Sequence, residues 1–254
     1  MKIKSRSFGF LNLNEPNKGL ISCSVDRSIK LWNLKTFACM RSLYGHSDEI
    51  WCVKLLDNER LLSGSHDQSV KLWDIETGVC LRTFIGHQEG INCLQVMPSY
   101  RIVSGSNMGI KVWDTRDGEC IMNLNKHTDW LSALEKLPND NLVSSSHDNT
   151  VRVWDLTMGL TVKKFKDVSD VGLNCLRLLK NGHMACGSLH KKICILNLDT
   201  GKILQVLRAH AAEIWDLQVP ANNKNNEMIS CSEDKRIKFW NLETGECTKT
   251  LIVS

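Results

Sequence analysis

The chain has 254 residues, 42% of them hydrophobic and 24% charged, with a net charge of +4. That is ample material for a sizeable core, and the thin scatter of Lys and Arg, with local groupings such as Lys163, Lys164 and Lys166, excludes a dense phosphate-gripping face. An odd count of 11 cysteines without C-x-x-C spacing excludes paired-cysteine zinc sites, and no signal peptide, N-x-[S/T] sequon or apolar run of membrane-spanning length is visible.

Short strand patterns recur along the whole chain. The first inner strand is expected at Ser7-Phe-Gly-Phe-Leu11, and the first strong pattern is Lys30-Leu-Trp-Asn33. The second copy is the clearest. Ile50–Leu55 alternates, Asp57–Arg60 turns, and Leu61–Ser65 follows. His66–Ser69 turns again before Val70–Asp74, Glu76–Gly78 closes that strand, and Cys80–Phe84 leads into Gly86-His87. These runs are β-branched or aromatic-rich and bounded by turn residues, which predicts four antiparallel strands and no helix. The third copy carries Lys111-Val-Trp-Asp114 behind a shortened turn, Ser106-Asn-Met-Gly109, that lacks Asp. The fourth carries Arg152-Val-Trp-Asp155. The fifth departs most, with Cys194-Ile-Leu-Asn197 in place of the Trp pattern and His190 where Asp is expected. A polar linker, Pro220–Glu227, is expected to be a mobile loop. The sixth copy carries Lys238-Phe-Trp-Asn241 and ends with Cys247–Leu251.

Trp32, Trp73, Trp113 and Trp154 are separated by 41, 40 and 41 residues, and Trp240 follows after 86, two periods with Leu196 on the missing beat. A period of this length marks one supersecondary unit copied along the chain. Six copies are expected, at 1–46, 47–87, 88–127, 128–166, 167–210 and 211–254, in a single domain spanning 1–254. Small four-stranded sheets bury their faces against neighbours, and radial repetition leaves only short, protected edges.

Gly-His, about thirty residues, then Trp-Asp resembles the WD40 repeat family. Gly45-His46 and Gly86-His87 match fully, while Lys126-His127 and Ala209-His210 keep the histidine. The resemblance implies a β-propeller, here an all-β six-bladed ring of four-stranded antiparallel blades. The alternative is part of a seven-bladed propeller, the commoner number in the family. Cysteines at repeat-equivalent slots are expected to act as small buried hydrophobes: Cys52, Cys93 and Cys175 in one, Cys80, Cys120 and Cys247 in a second, Cys23, Cys186 and Cys231 in a third. Disulfides belong to small secreted domains, so a reducing compartment, cytosol or nucleus, is the expected home.

Three copies hold Ser, His and Asp together: His46, Ser63 and Asp67; His127, Ser144 and Asp148; His210, Ser230 and Asp234. A hydrolase needs the same residue types. It needs them once, however, and no Gly-x-Ser-x-Gly elbow accompanies them. The resemblance implies structural tetrads completed by Trp73, Trp154 and Trp240. The repeat-equivalent histidines lie a blade apart and do not converge on one ion, and no phosphate-loop motif is present. No catalytic residue, metal or cofactor is therefore expected.

The resemblance also implies that two positions per blade face the open mouth of a propeller. The first reads Trp51, Asn92, Ser132, Asn174 and Trp215. The second reads Val25, His66, His147, Leu189 and Glu233, with Asn107 in the shortened turn. Glu49, Trp130 and Glu213 lie just upstream. Three of the eight tryptophans thus fall outside the Trp-Asp slot and near one surface. Aromatic anchors dominate binding hot spots. Asp48, Asp129, Glu49, Glu213 and Glu233 add negative charge, and no Arg or Lys occupies these positions. The expected function is a non-enzymatic scaffold or adaptor binding proteins or peptide segments that are basic or aromatic, with no membrane, nucleic-acid or small-molecule partner. The repeat strings also resemble substrate receptors of ubiquitin ligases, but the arginines that grip phosphodegrons are absent. A ligase substrate-recognition module, a propeller enzyme and a nucleic-acid-binding propeller remain the alternatives.

Overall fold

The computed structural model describes residues 8–12, 18–107, 109–208, 210–220 and 226–253. Ser7, Met108, Ala209 and residues 221–225 of the linker, on which some expectations fall, lie outside the described residues. Among the described residues there is no helix, and every strand belongs to a four-stranded antiparallel sheet of consecutive strands. These sheets are six blades of the β-propeller kind, the number the sequence predicts.

The chain divides into two compact units, 1–126 and 127–254, with three blades in each. In the first unit, blade one holds β1 (Phe8–Asn12), β2 (Lys18–Cys23), β3 (Ser28–Asn33) and β4 (Cys39–Tyr44). Blade two holds β5 (Ile50–Leu55), β6 (Arg60–Ser65), β7 (Ser69–Asp74) and β8 (Cys80–Ile85). Blade three holds β9 (Ile91–Met97), β10 (Arg101–Ser106), β11 (Gly109–Asp114) and β12 (Cys120–Leu124). In the second unit, blade four holds β13 (Leu131–Lys136), β14 (Leu142–Ser146), β15 (Val151–Asp155) and β16 (Leu160–Phe165). Blade five holds β17 (Leu173–Leu178), β18 (Met184–Ser188), β19 (Lys192–Leu196) and β20 (Ile203–Arg208). Blade six holds β21 (Ile214–Gln218), β22 (Glu227–Ser232), β23 (Arg236–Asn241) and β24 (Cys247–Ile252).

Burial explains the residue choice. β6, β14 and β18 are buried almost throughout, which suits their Leu, Val, Ser and Gly content. The outer β8 instead alternates, with Phe84 inward and Leu81, Thr83 and Ile85 outward. The cores form between blades. Ile21, Ile29, Leu31 and Leu43 of blade one pack on Ile50, Val53, Leu61 and Trp73 of blade two. Cys175, Ile193, Ile195 and Leu207 of blade five pack likewise on Ile214, Leu217, Met228 and Trp240 of blade six. Within each unit, outer-strand side chains tie a blade to a turn of the next. Arg41 donates to the Thr77 carbonyl at 3.2 Å, and Lys163 to that of Leu198 at 2.8 Å.

The cysteine slots divide by depth. Cys52, Cys93 and Cys175 are buried, as expected. Cys80, Cys120 and Cys247 are only half-buried, and exposed Cys39 shares their slot. All four sit at a β-bulge opposite the repeat Trp, where each thiol donates to the carbonyl two residues on. The third slot is corrected by strand register. Cys23 and Cys231 pair with Ile29 and Ile237, as Gly64 pairs with Val70. Cys186 pairs with Cys194, as Ser63 pairs with Lys71, so it occupies the tetrad serine position. Among the described residues no disulfide joins any two cysteines.

Candidate functional site

The tetrads form unbroken chains of hydrogen bonds. In blade two, Trp73 Nε1–H donates to Ser63 Oγ at 2.8 Å. Ser63 then has its own hydrogen for His46 Nε2 at 2.6 Å, which leaves His46 Nδ1–H facing Asp67 Oδ2 at 2.7 Å. Trp73, Ser63 and His46 each donate once, Asp67 accepts, and none is orphaned, so the imidazole is neutral. Asp67 also takes the Ser47 and Ser69 amides and the Ser69 hydroxyl. The same chains run through Trp154, Ser144, His127 and Asp148 and through Trp240, Ser230, His210 and Asp234, with every link between 2.7 and 2.9 Å. Gly45 explains the Gly-His pair: at φ +151° its backbone lies so close to Trp73 that a Cβ would sit 3.1 Å from the indole.

Blade three builds the chain without Asp, a solution the sequence reading missed. Trp113 donates to Ser104, Ser104 bonds His87 Nε2, and His87 Nδ1 bonds Ser106 Oγ at 3.0 Å. Ser106 passes its hydrogen to the Gly109 carbonyl. Among the described residues of blade one, Trp32 donates to Ser22.

These environments set a titration order. Burial opposes ionisation of Asp67, but bonds from Ser69 and His46 outweigh it and hold the carboxyl down to about 2. Burial lowers His46 and His210 against the pull of their aspartates. His87 lacks a carboxylate, and burial followed by Lys111 lowers it to about 3. Below pH 6.5 the unfolded chain therefore binds a proton that folded His87 refuses. The stability is complete above about 6.5 and drains away as pH falls toward 3, at up to about 1.4 kcal/mol per pH unit. Asp67 adds a loss only below about 4. The melting temperature is expected to decline from pH 6.5 to 4.5, and His87→Gln, which keeps a donor and an acceptor but takes no proton, should flatten that decline. An equally steep decline in the variant would remove His87 as its source.

Blade five replaces the whole tetrad. Val168 stands at the histidine position, Cys186 at the serine and Leu196 at the tryptophan, and all three belong to one buried apolar cluster. His190, in the aspartate slot, is exposed and bonds Ser188 only through its backbone amide. The replacement is coordinated: no polar member remains buried without its partners.

In blades two, four, five and six one backbone bond runs from the residue before the turn Asp, or its equivalent, to the upstream loop. His66 donates to Glu49, His147 to Trp130, Leu189 to Gly172 and Glu233 to Glu213, at 2.8–3.1 Å. In the first unit, half-buried Trp51 stacks on exposed His66 with ring centroids 5.0 Å apart and planes 18° from parallel. Glu49 accepts Trp51 Nε1–H at 3.0 Å, and His66 Nδ1 meets Asp48 at 3.1 Å. The Asp48 carboxyl is lowered by the Glu49 amide and then by His66, with a smaller contribution from Arg27, a nearby cation absent from the expected positions. Asn92 bonds Asn107.

In the second unit, half-buried Trp130 stacks on His147 at 5.8 Å and 26°. Trp51 and Trp130 come from different repeat slots, one on the inner strand and one in the loop before it, yet each covers the turn histidine of its own blade, His66 and His147 being repeat-equivalent. Trp215 is 42% exposed, Glu213 half-buried and Glu233 exposed. Ser132 bonds Ser145, and Asn174 bonds the Ile214 carbonyl, so both face neighbouring strands. None of the three tryptophans belongs to the buried core. Among the described residues, no group of three His, Cys, Asp or Glu side chains is placed to hold a metal, and no helix is long and apolar enough to cross a membrane.

Repeated four-stranded blades pinned by Trp–Ser–His–Asp chains define a repeat protein of the propeller class. The chain belongs to the WD40 family, "WD domain, G-beta repeat", whose pattern matches residues 11–33, 37–74, 78–114, 118–155 and 201–241. The unmatched stretch covers most of blade five, where the tetrad is replaced. The chain is 29% identical over 109 residues to rat (Rattus norvegicus) WD repeat domain-containing protein 83, covering 42% of this chain and 34% of that one. It is 30% identical over 101 residues to the human (Homo sapiens) protein of the same name, covering 39% and 31%. It is 26% identical over 128 residues to Mitochondrial division protein 1 of Schizosaccharomyces pombe, covering 42% and 19%. The alignments thus span about a third or less of these relatives' lengths.

Proposed function

We propose that the chain is a non-enzymatic interaction scaffold whose aromatic and acidic loop positions take a basic or aromatic peptide segment. WD-repeat proteins generally bind other proteins, which supports the coarser part of this reading. The observation that carries the finer part is the Trp51–His66 stack with carboxylates on both rings. Bonds on the ring edges hold the aromatic pair in place while part of its surface stays open. A preordered aromatic beside negative charge suits a Lys or Arg side chain, through cation–π contact and charge pairing. Trp215 with Glu213 and Glu233 offers the same chemistry on blade six. The tetrad serines argue against hydrolysis: Ser63, Ser144 and Ser230 are fully buried and their hydroxyls are committed to His and Trp.

The test is fluorescence anisotropy against synthetic peptides graded in net charge and aromatic content. Binding is expected only for basic or aromatic members. Trp51→Ala with Trp215→Ala should weaken it at least about 30-fold, the loss that a single 2 kcal/mol anchor already gives, with unchanged melting. Undiminished binding by the double variant, or a preference for acidic peptides, would overturn the proposal.

A further inference from the structure

Blade five departs from the other blades along one cross-strand row. Elsewhere the row reads Ser22–Lys30–Ser42, Ser63–Lys71–Thr83, Ser104–Lys111–Asn123, Ser144–Arg152–Lys164 and Ser230–Lys238–Thr250. In blade five it reads Cys186–Cys194–Val206. Residues directly opposite on antiparallel strands project to the same face. Either kind of antiparallel pair sets its Cα atoms about 4.5–5.5 Å apart, inside the range of about 4.4–6.8 Å that a disulfide spans. Both cysteines belong to the same buried cluster as Val168 and Leu196.

The two thiols differ in access. Cys186 is fully buried, with its thiol on the Met184 carbonyl at 3.8 Å. Cys194 lines a cavity of about 170 Å³ together with Lys192, Ile203, Val206 and Arg208. The corresponding groove of blade two is lined by Asp67, Ser69, Lys71 and Thr83 and has no thiol in its wall. A long basic side chain thus occupies the row in five blades, and a cavity-lining cysteine, 4% exposed and backed by a second, fully buried one, occupies it in the sixth.

We infer that Cys194 is a thiol–disulfide exchange site for small disulfides such as glutathione disulfide, with Cys186 as its resolving thiol. The Cys194 thiolate attacks one sulfur of glutathione disulfide. The S–S bond breaks, a mixed disulfide forms on Cys194, and glutathione thiolate leaves and takes a proton. The Cys186 thiolate then attacks Cys194 Sγ and expels the second glutathione. Two protein thiols are oxidised to one disulfide, and one glutathione disulfide is reduced to two glutathiones. Burial raises the Cys194 thiol and is partly offset by Lys192 and Arg208. The attacking thiolate is therefore a minor species, and the rate should climb with pH, up to about tenfold per unit between pH 7 and 8.

The experiment incubates the full chain with glutathione disulfide, blocks remaining thiols after unfolding, and maps tryptic peptides by mass spectrometry. Cleavage after Lys180, Lys191, Lys192 and Lys202 puts Cys186 and Cys194 on separate peptides. The expected product joins peptides 181–191 and 193–202. Cys194→Ala should abolish it, and Cys186→Ala should stop the reaction at a glutathione adduct on Cys194. Should either alanine variant fail to fold, valine at the same position (Cys194→Val or Cys186→Val) fills the same apolar space and gives the same readout. Recovery of both cysteines as free thiols while exposed Cys39 carries glutathione would overturn the inference. So would an adduct on Cys194 that persists in the wild-type chain.

Discussion

Trp73→Ala is expected to lower the free energy of unfolding by about 3–5 kcal/mol, the range for truncating a large buried aromatic. Trp73 is 1% exposed and packs between blades one and two on Ile21, Ile29 and Leu43. Its loss opens a cavity in a core that does not collapse easily, because strand ladders fix both walls. It also withdraws a donor from Ser63. Trp73→Phe keeps much of the volume and loses only the N–H bond, so it should cost about 1–2 kcal/mol beyond its smaller size. Urea unfolding followed by circular dichroism checks both. An alanine variant within 1 kcal/mol of wild type would mean that blade packing does not depend on the repeat tryptophan.

Asp148→Ala is expected to cost about 3–4 kcal/mol, with melting about 10 °C lower. One carboxylate accepts from His127, the Thr128 and Thr150 amides and the Thr150 hydroxyl. These bonds outweigh burial and hold the carboxyl far below its ordinary range. Alanine would strand the ring N–H of His127, whose side chain is 1% exposed. Asp148→Asn keeps one acceptor and should recover part of the loss. Peptide binding should survive in any variant that remains folded. Unchanged melting combined with a lost activity would instead move this Ser–His–Asp set from structure to chemistry.

Much of this was legible in the residues. The Trp ruler, the Gly-His pairs and the turn aspartates specify the blade because each is a local requirement repeated at a fixed distance. Register was less legible. The string Ala185-Cys-Gly-Ser188 aligns with Leu62-Ser-Gly-Ser65, which places Cys186 in the serine slot, but a reading that matches cysteine to cysteine slides it one place. A slip of one residue turns a side chain to the other face, so only the ladder, with Cys186 opposite Cys194, corrects it. The Ser106 stand-in for Asp was hidden as well. Its hydroxyl reaches His87 from the end of β10, where the shortened turn supplies no aspartate, and a single serine there carries no signal that it will take the carboxylate's place.

By itself the sequence determined the unit, its count and its polar skeleton, because alternation, turn residues and the Trp period act over a few neighbouring residues. Tertiary structure alone decided which Trp rings stack on which histidines, that blade five exchanges its polar chain for an apolar one, and that two thiols face each other beside a cavity. Those outcomes depend on contacts across strands and loops, not along any one strand. There, packing and the satisfaction of buried donors choose among arrangements that local pattern leaves equal.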